Sequence, residues 1–126
     1  MPKVVSEYWI GETRNALYDN NLFVVDAIGT ATDEMAVEAR DKANALLSSA
    51  TGKCRILVDI NRAGKQSPKS RRIMQEFCHH PNVSKIAVFG FHPVARVVAS
   101  FIMGMTGNET IRFFKTEDQA RAWLGV

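Results

Sequence analysis

A serine within a cluster of basic residues is the feature of this sequence most suited to chemistry. The segment Ser67-Pro-Lys-Ser-Arg-Arg72 has the form of a helix start, with proline at the first helical position. An anionic group there gains from free backbone amides, and basic side chains add charge-assisted hydrogen bonds. A serine that only caps the helix explains the same pattern without a ligand. With capping as the alternative, we predict a site for an anionic ligand or a protein partner at Lys65, Ser67, Lys69, Ser70 and Arg71.

The distribution of charge also indicates an acidic partner. Residues 1–50 contain four Lys or Arg against eight Asp or Glu, and residues 51–126 contain twelve against five, so the halves carry net charges of −4 and +7. The basic excess is concentrated between Lys53 and Arg72. Such a cluster suits an acidic protein, an anionic ligand or an anionic membrane surface, and a solvated surface is the simpler alternative. Nucleic acid is not favoured, because the sequence has no stripe of interleaved aromatic and basic residues for stacking bases.

Other reactive residue types form weaker patterns. The sequence Cys78-His79-His80 contains metal-binding residue types, but adjacent histidines at a helix end point in different directions. Cys54 and Cys78 are interpreted as reduced, partly buried thiols of a cytoplasmic protein. Asp59 could act as an acid or base, or could cap a loop. Phosphate-binding and dinucleotide-binding glycine patterns and a nucleophile elbow do not occur in the sequence. We therefore predict no catalytic residues, no metal and no cofactor.

A repeated strand-then-helix pattern must position these residues. Apolar runs at Arg55–Ile60, Lys85–Phe91 and Thr110–Phe114 are each followed by a capped helical pattern. Runs without alternation are typical of strands buried on both faces of a sheet. The segments Tyr8–Tyr18 and Leu22–Ile28 precede them as an expected antiparallel pair. The pattern predicts one α/β domain over residues 1–126, with a single mixed sheet, the order ββαβαβαβα and helices stacked against the sheet.

The expected helices differ in how much of their circumference is apolar. The helix that starts at Pro68 should run to His79 and bury Ile73, Met74 and Phe77. The last helix should begin at a capping box, Thr116-Glu-Asp-Gln119. Between them, Val94–Met105 is apolar around nearly its whole circumference. Core packing or a dimer contact would explain this helix, and a site for an apolar ligand or a membrane is the other hypothesis. That second site would consist of Phe91, Phe101, Ile102 and Met105.

The chain resembles the STAS-like domains, and more narrowly the group similar to the sporulation anti-sigma-factor antagonist. The resemblance lies in Ile56–Gly64, Ser67–Arg72, Lys85–Gly90 with Pro93–Arg96, and above all Ile111–Leu124. It implies a mixed sheet and a protein that works by binding. The antagonists are switched by phosphorylation of a serine after the central strand, in an Asp-Ser-Ser-Gly type sequence, where this chain has Ser67-Pro-Lys-Ser70. The distantly similar CRAL-TRIO domains hold lipids in an apolar pocket.

Two functions therefore follow from the sequence. The first is a cytoplasmic, non-enzymatic regulatory or interaction domain whose contact surface surrounds Ser67. The second is a domain that binds an apolar ligand or associates peripherally with an anionic membrane.

Overall fold

A mixed six-stranded sheet organises the computed structural model, which describes residues 1–90 and 110–126. The strands stand in sequence order across the sheet, from β1 to β6. The α/β fold with a single mixed sheet is therefore confirmed. The strands and helices are β1 Val4–Ile10, β2 Thr13–Tyr18, β3 Leu22–Ala31, α1 Asp33–Ser49, β4 Cys54–Gln66, α2 Pro68–Phe77, β5 Val83–Phe89, β6 Ile111–Phe114 and α3 Glu117–Leu124.

The sheet changes direction at β3. Strands β1, β2 and β3 pair antiparallel, whereas β3, β4, β5 and β6 are mutually parallel. The middle of β4 is buried on both faces at Ile56, Leu57 and Val58. This burial agrees with the unbroken apolar run, because strands covered on both faces do not alternate in polarity.

The N-terminal segment differs from the expectation of a single strand over Tyr8–Tyr18. It forms two strands joined at Gly11, whose φ of 59° lies in the left-handed region that favours glycine. The observed order therefore has one strand more at its start than the predicted ββαβαβαβα. The predicted helix at Val94–Met105 lies outside the described residues.

Strand β4 also continues beyond the expected end at Ile60. The segment from Gly64 to Gln66, predicted as a loop, extends β4 because β3 is long enough to pair with it. The two strands stay in register at Ile28↔Arg62, Gly29↔Ala63 and Ala31↔Gln66, with irregularities on either side of Gly29. The consequence is a two-stranded parallel extension that carries the chain to the start of α2.

Helices cover both faces of the sheet. On one face, Leu47 of α1 and Cys78, the residue after α2, pack in a core with Phe23, Ile56 and Val58. On the other face, α3 contributes Ala120 and Leu124, which pack with Leu57, Ala87 and Phe89. The two layers leave α1 and α2 side by side above the extension of β3 and β4.

The helix starts agree with the sequence. The hydroxyl oxygen of Ser67 accepts a hydrogen bond from the backbone N–H of Ser70 at 3.1 Å, and that of Thr116 accepts from Gln119 at 3.3 Å. Oε1 of Gln119 accepts a hydrogen bond from the backbone N–H of Lys115, one residue before the cap. In α2, Ile73 is buried and Met74 and Phe77 pack against the core, as predicted.

Candidate functional site

An apolar cavity of about 210 Å³ lies between the sheet and helices α1 and α2. Small residues on α1 leave the space open, because three alanines of this helix face the sheet where longer side chains would fill it. The strands contribute branched and aromatic side chains to the opposite wall. The residues that the argument below uses are Asn15, Val25, Ala36, Ala39, Ala43, Ile56, Val58, Gln66, Ser70, Arg71 and Met74.

The residues that line the cavity are spread along most of β3. These residues reach from Phe23 of β3, which lies level with Ile56 of β4, to Ala31 of β3, which lies level with Gln66 of β4. Eight residue steps of β3 separate these two levels, and a strand rises about 3.3 Å per residue, so the lining residues are spread over roughly 26 Å.

The part of the cavity wall that β2 forms contains a buried amide. Asn15 is 4% exposed and is the only buried polar side chain among residues 1–90 and 110–126. Its Nδ2 donates to the carbonyl oxygen of Thr13 at 3.3 Å. The hydroxyl of Thr13 in turn accepts from the backbone N–H of Ile28 at 2.9 Å. The amide is therefore fixed in place by its own β-hairpin.

The outer end of the cavity is polar and half-buried. Arg71 donates from Nη1 to the carbonyl oxygen of Gln66 at 3.0 Å, and the hydroxyl of Ser70 donates to Oε1 of Gln66 at 2.7 Å. All three residues line the cavity and are partly exposed to solvent. A guanidinium has five N–H donors in a planar fork, which fits a carboxylate. This end of the cavity therefore has the chemistry to hold an anionic group.

The structure divides the five predicted site residues into three groups. Ser67 caps α2 through its hydroxyl. Ser70 and Arg71 face the cavity, whereas Lys65 and Lys69 are exposed on the outside. The two lysines flank the start of α2, one at the end of β4 and one in the first helical turn.

A second, shallower depression lies between α1 and α2. Lys69 and Arg72 line it together with acidic side chains from both helices, Asp33 and Glu76, and with Arg40. The charges of the two signs are mixed in this groove. The net positive surface is therefore the part nearest the start of α2, where the sequence between Asp59 and Glu76 contains no acidic residue.

The other sequence candidates have structural roles. Oδ1 of Asp59 accepts from the backbone N–H of Asn61 at 2.9 Å and from its Nδ2 at 3.0 Å, which is the loop-capping alternative. Burial raises the pKa of the Cys78 thiol to about 11 and also raises the pKa of Cys54. Both are free cysteines in the structure. A thiol held neutral in this way is a poor nucleophile at neutral pH.

Within residues 1–90 and 110–126, His, Cys, Asp and Glu side chains form no group of three that could hold a metal ion. The helices of the same part of the chain include none with the length and apolar character needed to cross a membrane. The second predicted site, at Phe91, Phe101, Ile102 and Met105, lies outside the described residues.

Sequence reasoning missed the cavity. The signal that could have indicated it is the series Ala36, Ala39 and Ala43, which places small residues at helical spacing on the face of α1 that meets the sheet. Buried alanines more often bring a helix close to its sheet than leave a space. The series alone therefore does not distinguish close packing from a cavity.

Comparisons with known proteins agree with this architecture. The model of the family described as SpoIIAA-like matches residues 22–125. A solved structure with a SpoIIAA-like fold, an uncharacterized protein of the DUF3478 family from Shewanella loihica PV-4, superposes with a TM-score of 0.62. The two sequences are 16% identical, and the match covers 98% of this chain and 95% of the other. No curated protein matches the sequence.

Proposed function

Because this chain belongs to the SpoIIAA-like family, we propose that it is a non-enzymatic, cytoplasmic regulatory domain of STAS type. It binds a protein partner or ligand that carries negative charge, and its contact surface is the start of α2. The observation that supports this proposal is the placement of Lys65 and Lys69 in exposed positions on either side of the capping serine, Ser67.

The electrostatics of this surface favour association. Residues 60–75 include five basic and no acidic residues. The basic residues are Arg62, Lys65, Lys69, Arg71 and Arg72. Clustered charge of one sign raises the association rate with an oppositely charged partner, and dissolved salt screens the effect over about 10 Å at 0.1 M. Binding through this surface should therefore weaken as the salt concentration rises.

A lysine exchange tests the proposal. The variant Lys65→Gln/Lys69→Gln removes two exposed charges and leaves the cap of α2 intact. The matched control is Lys53→Gln/Lys115→Gln, which removes two exposed lysines from elsewhere on the surface. The probe is a short fluorescent polyglutamate peptide, and its affinity is measured by anisotropy at low and physiological salt.

We expect the first variant to bind the peptide roughly three- to tenfold more weakly than the wild type, since each exposed charge contributes up to about 1 kcal/mol. The control should bind like the wild type. An equal loss in both variants would mean that only net charge matters. That result, or a wild type that does not bind, would contradict a defined contact surface at α2.

The cavity supports a second candidate function, the binding of an apolar ligand. An engineered cavity of about 150 Å³ in another protein takes up benzene, whereas pockets for drug-sized ligands begin near 300 Å³. A cavity of about 210 Å³ lies between these sizes and is lined mainly by apolar side chains. It therefore suits a small apolar molecule rather than a two-chain lipid.

An alanine exchange on α1 tests this second function. Ala39→Phe fills the cavity from α1, whereas Ala45→Phe adds the same ring at an exposed position of the same helix. The probe is decanol, followed by chemical-shift changes of the protein amides. Binding that is lost in Ala39→Phe and kept in Ala45→Phe supports the function. Flotation with vesicles of neutral or anionic lipid separates it from membrane association, because a cavity ligand does not require the protein to float.

A further inference from the structure

We infer that the cavity binds a small neutral molecule whose apolar body carries a hydroxyl group, and that this hydroxyl donates a hydrogen bond to Oδ1 of Asn15. The inference rests on the second proposed function, the binding of an apolar ligand, and names the class of that ligand. It depends on the burial of Asn15, on the orientation of its amide and on the lack of a donor to Oδ1 among the described residues.

The orientation of the Asn15 amide follows from its hydrogen bond to Thr13. The amide lies 3.3 Å from the backbone carbonyl oxygen of Thr13, and a carbonyl oxygen can only accept. The amide nitrogen must therefore face Thr13, and Oδ1 faces away from that carbonyl. The single proton of the Thr13 hydroxyl is used elsewhere, because this hydroxyl donates to the carbonyl oxygen of Ile28 at 3.2 Å.

Oδ1 of Asn15 is an acceptor that lacks a donor. No backbone or side-chain group within residues 1–90 and 110–126 donates a hydrogen bond to it, although the residue is 4% exposed. Most buried polar side-chain atoms in proteins have a partner, and an acceptor left without one destabilises the fold. Because Asn15 lines the cavity, a molecule bound there can supply the missing donor.

The surroundings of Asn15 favour a neutral donor. An ionised carboxylate can only accept, so its oxygen would repel Oδ1. An ammonium group can donate, but it would lose its hydration beside apolar side chains such as Val25 and Ile56. The cavity wall, as far as the structure describes it, includes no Asp or Glu that could balance such a charge. A hydroxyl donates without bringing a charge into the cavity.

The volume of the cavity limits the apolar body of the ligand. A cavity of about 150 Å³ takes up benzene, and this one has about 210 Å³. A six-membered ring with one small substituent therefore fits. Phenol and toluene are suitable probes because they have the same number of heavy atoms and differ only in a hydroxyl that replaces a methyl group.

Two substitutions remove the acceptor. Asn15→Val introduces a side chain that suits a strand, and Asn15→Ala introduces one too small to overfill the cavity. The matched control is Tyr8→Phe, which removes a buried hydroxyl from the residue that pairs with Asn15 across β1 and β2. Tyr8 is not among the described residues that line the cavity. Ala39→Phe fills the cavity and shows whether the probes bind there.

The test is isothermal titration calorimetry of the full chain with phenol and with toluene, at neutral pH, where phenol keeps its proton. We expect the wild type to bind phenol at least as tightly as toluene, although phenol loses more hydration on entering an apolar site. In Asn15→Val and Asn15→Ala the ratio of the two affinities should shift roughly tenfold toward toluene. Tyr8→Phe should keep the wild-type ratio, and Ala39→Phe should weaken the binding of both probes.

The outcomes separate this inference from the function on which it rests. A wild type that binds toluene more tightly than phenol would overturn the hydroxyl site and leave the apolar-ligand function standing. A ratio that is unchanged in both Asn15 variants, or that shifts equally in Tyr8→Phe, would overturn the role of Asn15. If neither probe bound to the wild type, both the hydroxyl site and the apolar-ligand function would be wrong. Circular dichroism shows whether each variant is folded, and the wild-type ratio decides if the Asn15 variants are not.

Discussion

At the scale of single residues, Ser67 has a role in stability that can be measured apart from any role in binding. Its hydroxyl satisfies the backbone N–H of Ser70, which has no partner within the helix because it lies in the first turn. Ser67 and Ser70 also lie near the position at which the antagonists of the similar family are phosphorylated, but Ser67-Pro-Lys-Ser70 departs from their Asp-Ser-Ser-Gly type sequence. A change in partner binding on substitution of Ser67 therefore has two explanations, loss of the cap or loss of a modified group.

The cap predicts different effects for two substitutions. Ser67→Ala should lower the free energy of unfolding by about 1 kcal/mol, whereas Ser67→Asp should leave it nearly unchanged because aspartate caps helices equally well. Urea unfolding followed by circular dichroism measures both. Ser48→Ala, at an exposed position in the last turns of α1, is the control and should cost little. A loss in Ser67→Asp as large as in Ser67→Ala would show that the cap bond contributes little.

At the scale of secondary structure, the sequence predicted the elements whose signals are local. The caps of α2 and α3 each depend on a side-chain hydroxyl that accepts a hydrogen bond from the backbone N–H three residues later. Ser67 and Thr116 provide these hydroxyls. The parallel strands depend on unbroken apolar runs, and Ile56–Val58 is buried as expected. These features involve residues within a few positions of one another, which is why reading the sequence could find them.

The predictions were wrong where an element depends on a distant partner. Gly64, Lys65 and Gln66 have the composition of a loop, yet they extend β4 because β3 continues beside them as far as Ala31. The composition of one segment does not reveal the length of the strand it pairs with. The turn at Gly11 was missed because a single glycine between two weakly apolar stretches is a faint hairpin signal.

The β3–β4 extension gives Gly64 a specific requirement. A Cβ atom at this position would lie 3.0 Å from the backbone carbon of Gly29 and 3.1 Å from the backbone nitrogen of Thr30. Gly64→Ala should therefore lower the free energy of unfolding by about 1–3 kcal/mol, because backbone atoms cannot move aside as a flexible side chain can. In Gly52→Ala the nearest atom lies at 3.5 Å, so this control should cost much less. Equal effects on urea unfolding would show that the two strands separate easily.

At the scale of the whole molecule, the cavity depends on how three elements meet. Its walls come from α1, α2 and the sheet, and the sequence does not state how far each helix stands from the strands. Likewise, Ser70 and Arg71 were grouped with Lys65 and Lys69 by sequence position. In the structure Ser70 and Arg71 of α2 line the cavity, whereas Lys65 of β4 and Lys69 of α2 are exposed. Reading along the chain identified the charges and could not assign them to separate surfaces.

The buried ionisable groups make the whole fold sensitive to alkaline pH. Burial raises the pKa of Tyr8 to about 12 and that of Cys78 to about 11, from ordinary values of 10.0 and 9.0, and raises the pKa of Cys54 as well. In the unfolded chain these groups lose their protons at lower pH than in the folded one. The folded state therefore keeps its full stability below about pH 9 and loses it as the pH rises through the folded pKa values.

We expect the free energy of unfolding to fall between pH 9 and pH 12 in a urea titration series. Tyr8→Phe should flatten the part of the fall above pH 10, since it removes the phenol whose oxygen is buried without a hydrogen-bond partner among the described residues. Cys78→Ala should flatten the part between pH 9 and pH 11, although it also leaves a small cavity that lowers stability at every pH. A profile with the same slope in the wild type and both variants would show that general charge repulsion, rather than these buried groups, causes the alkaline loss.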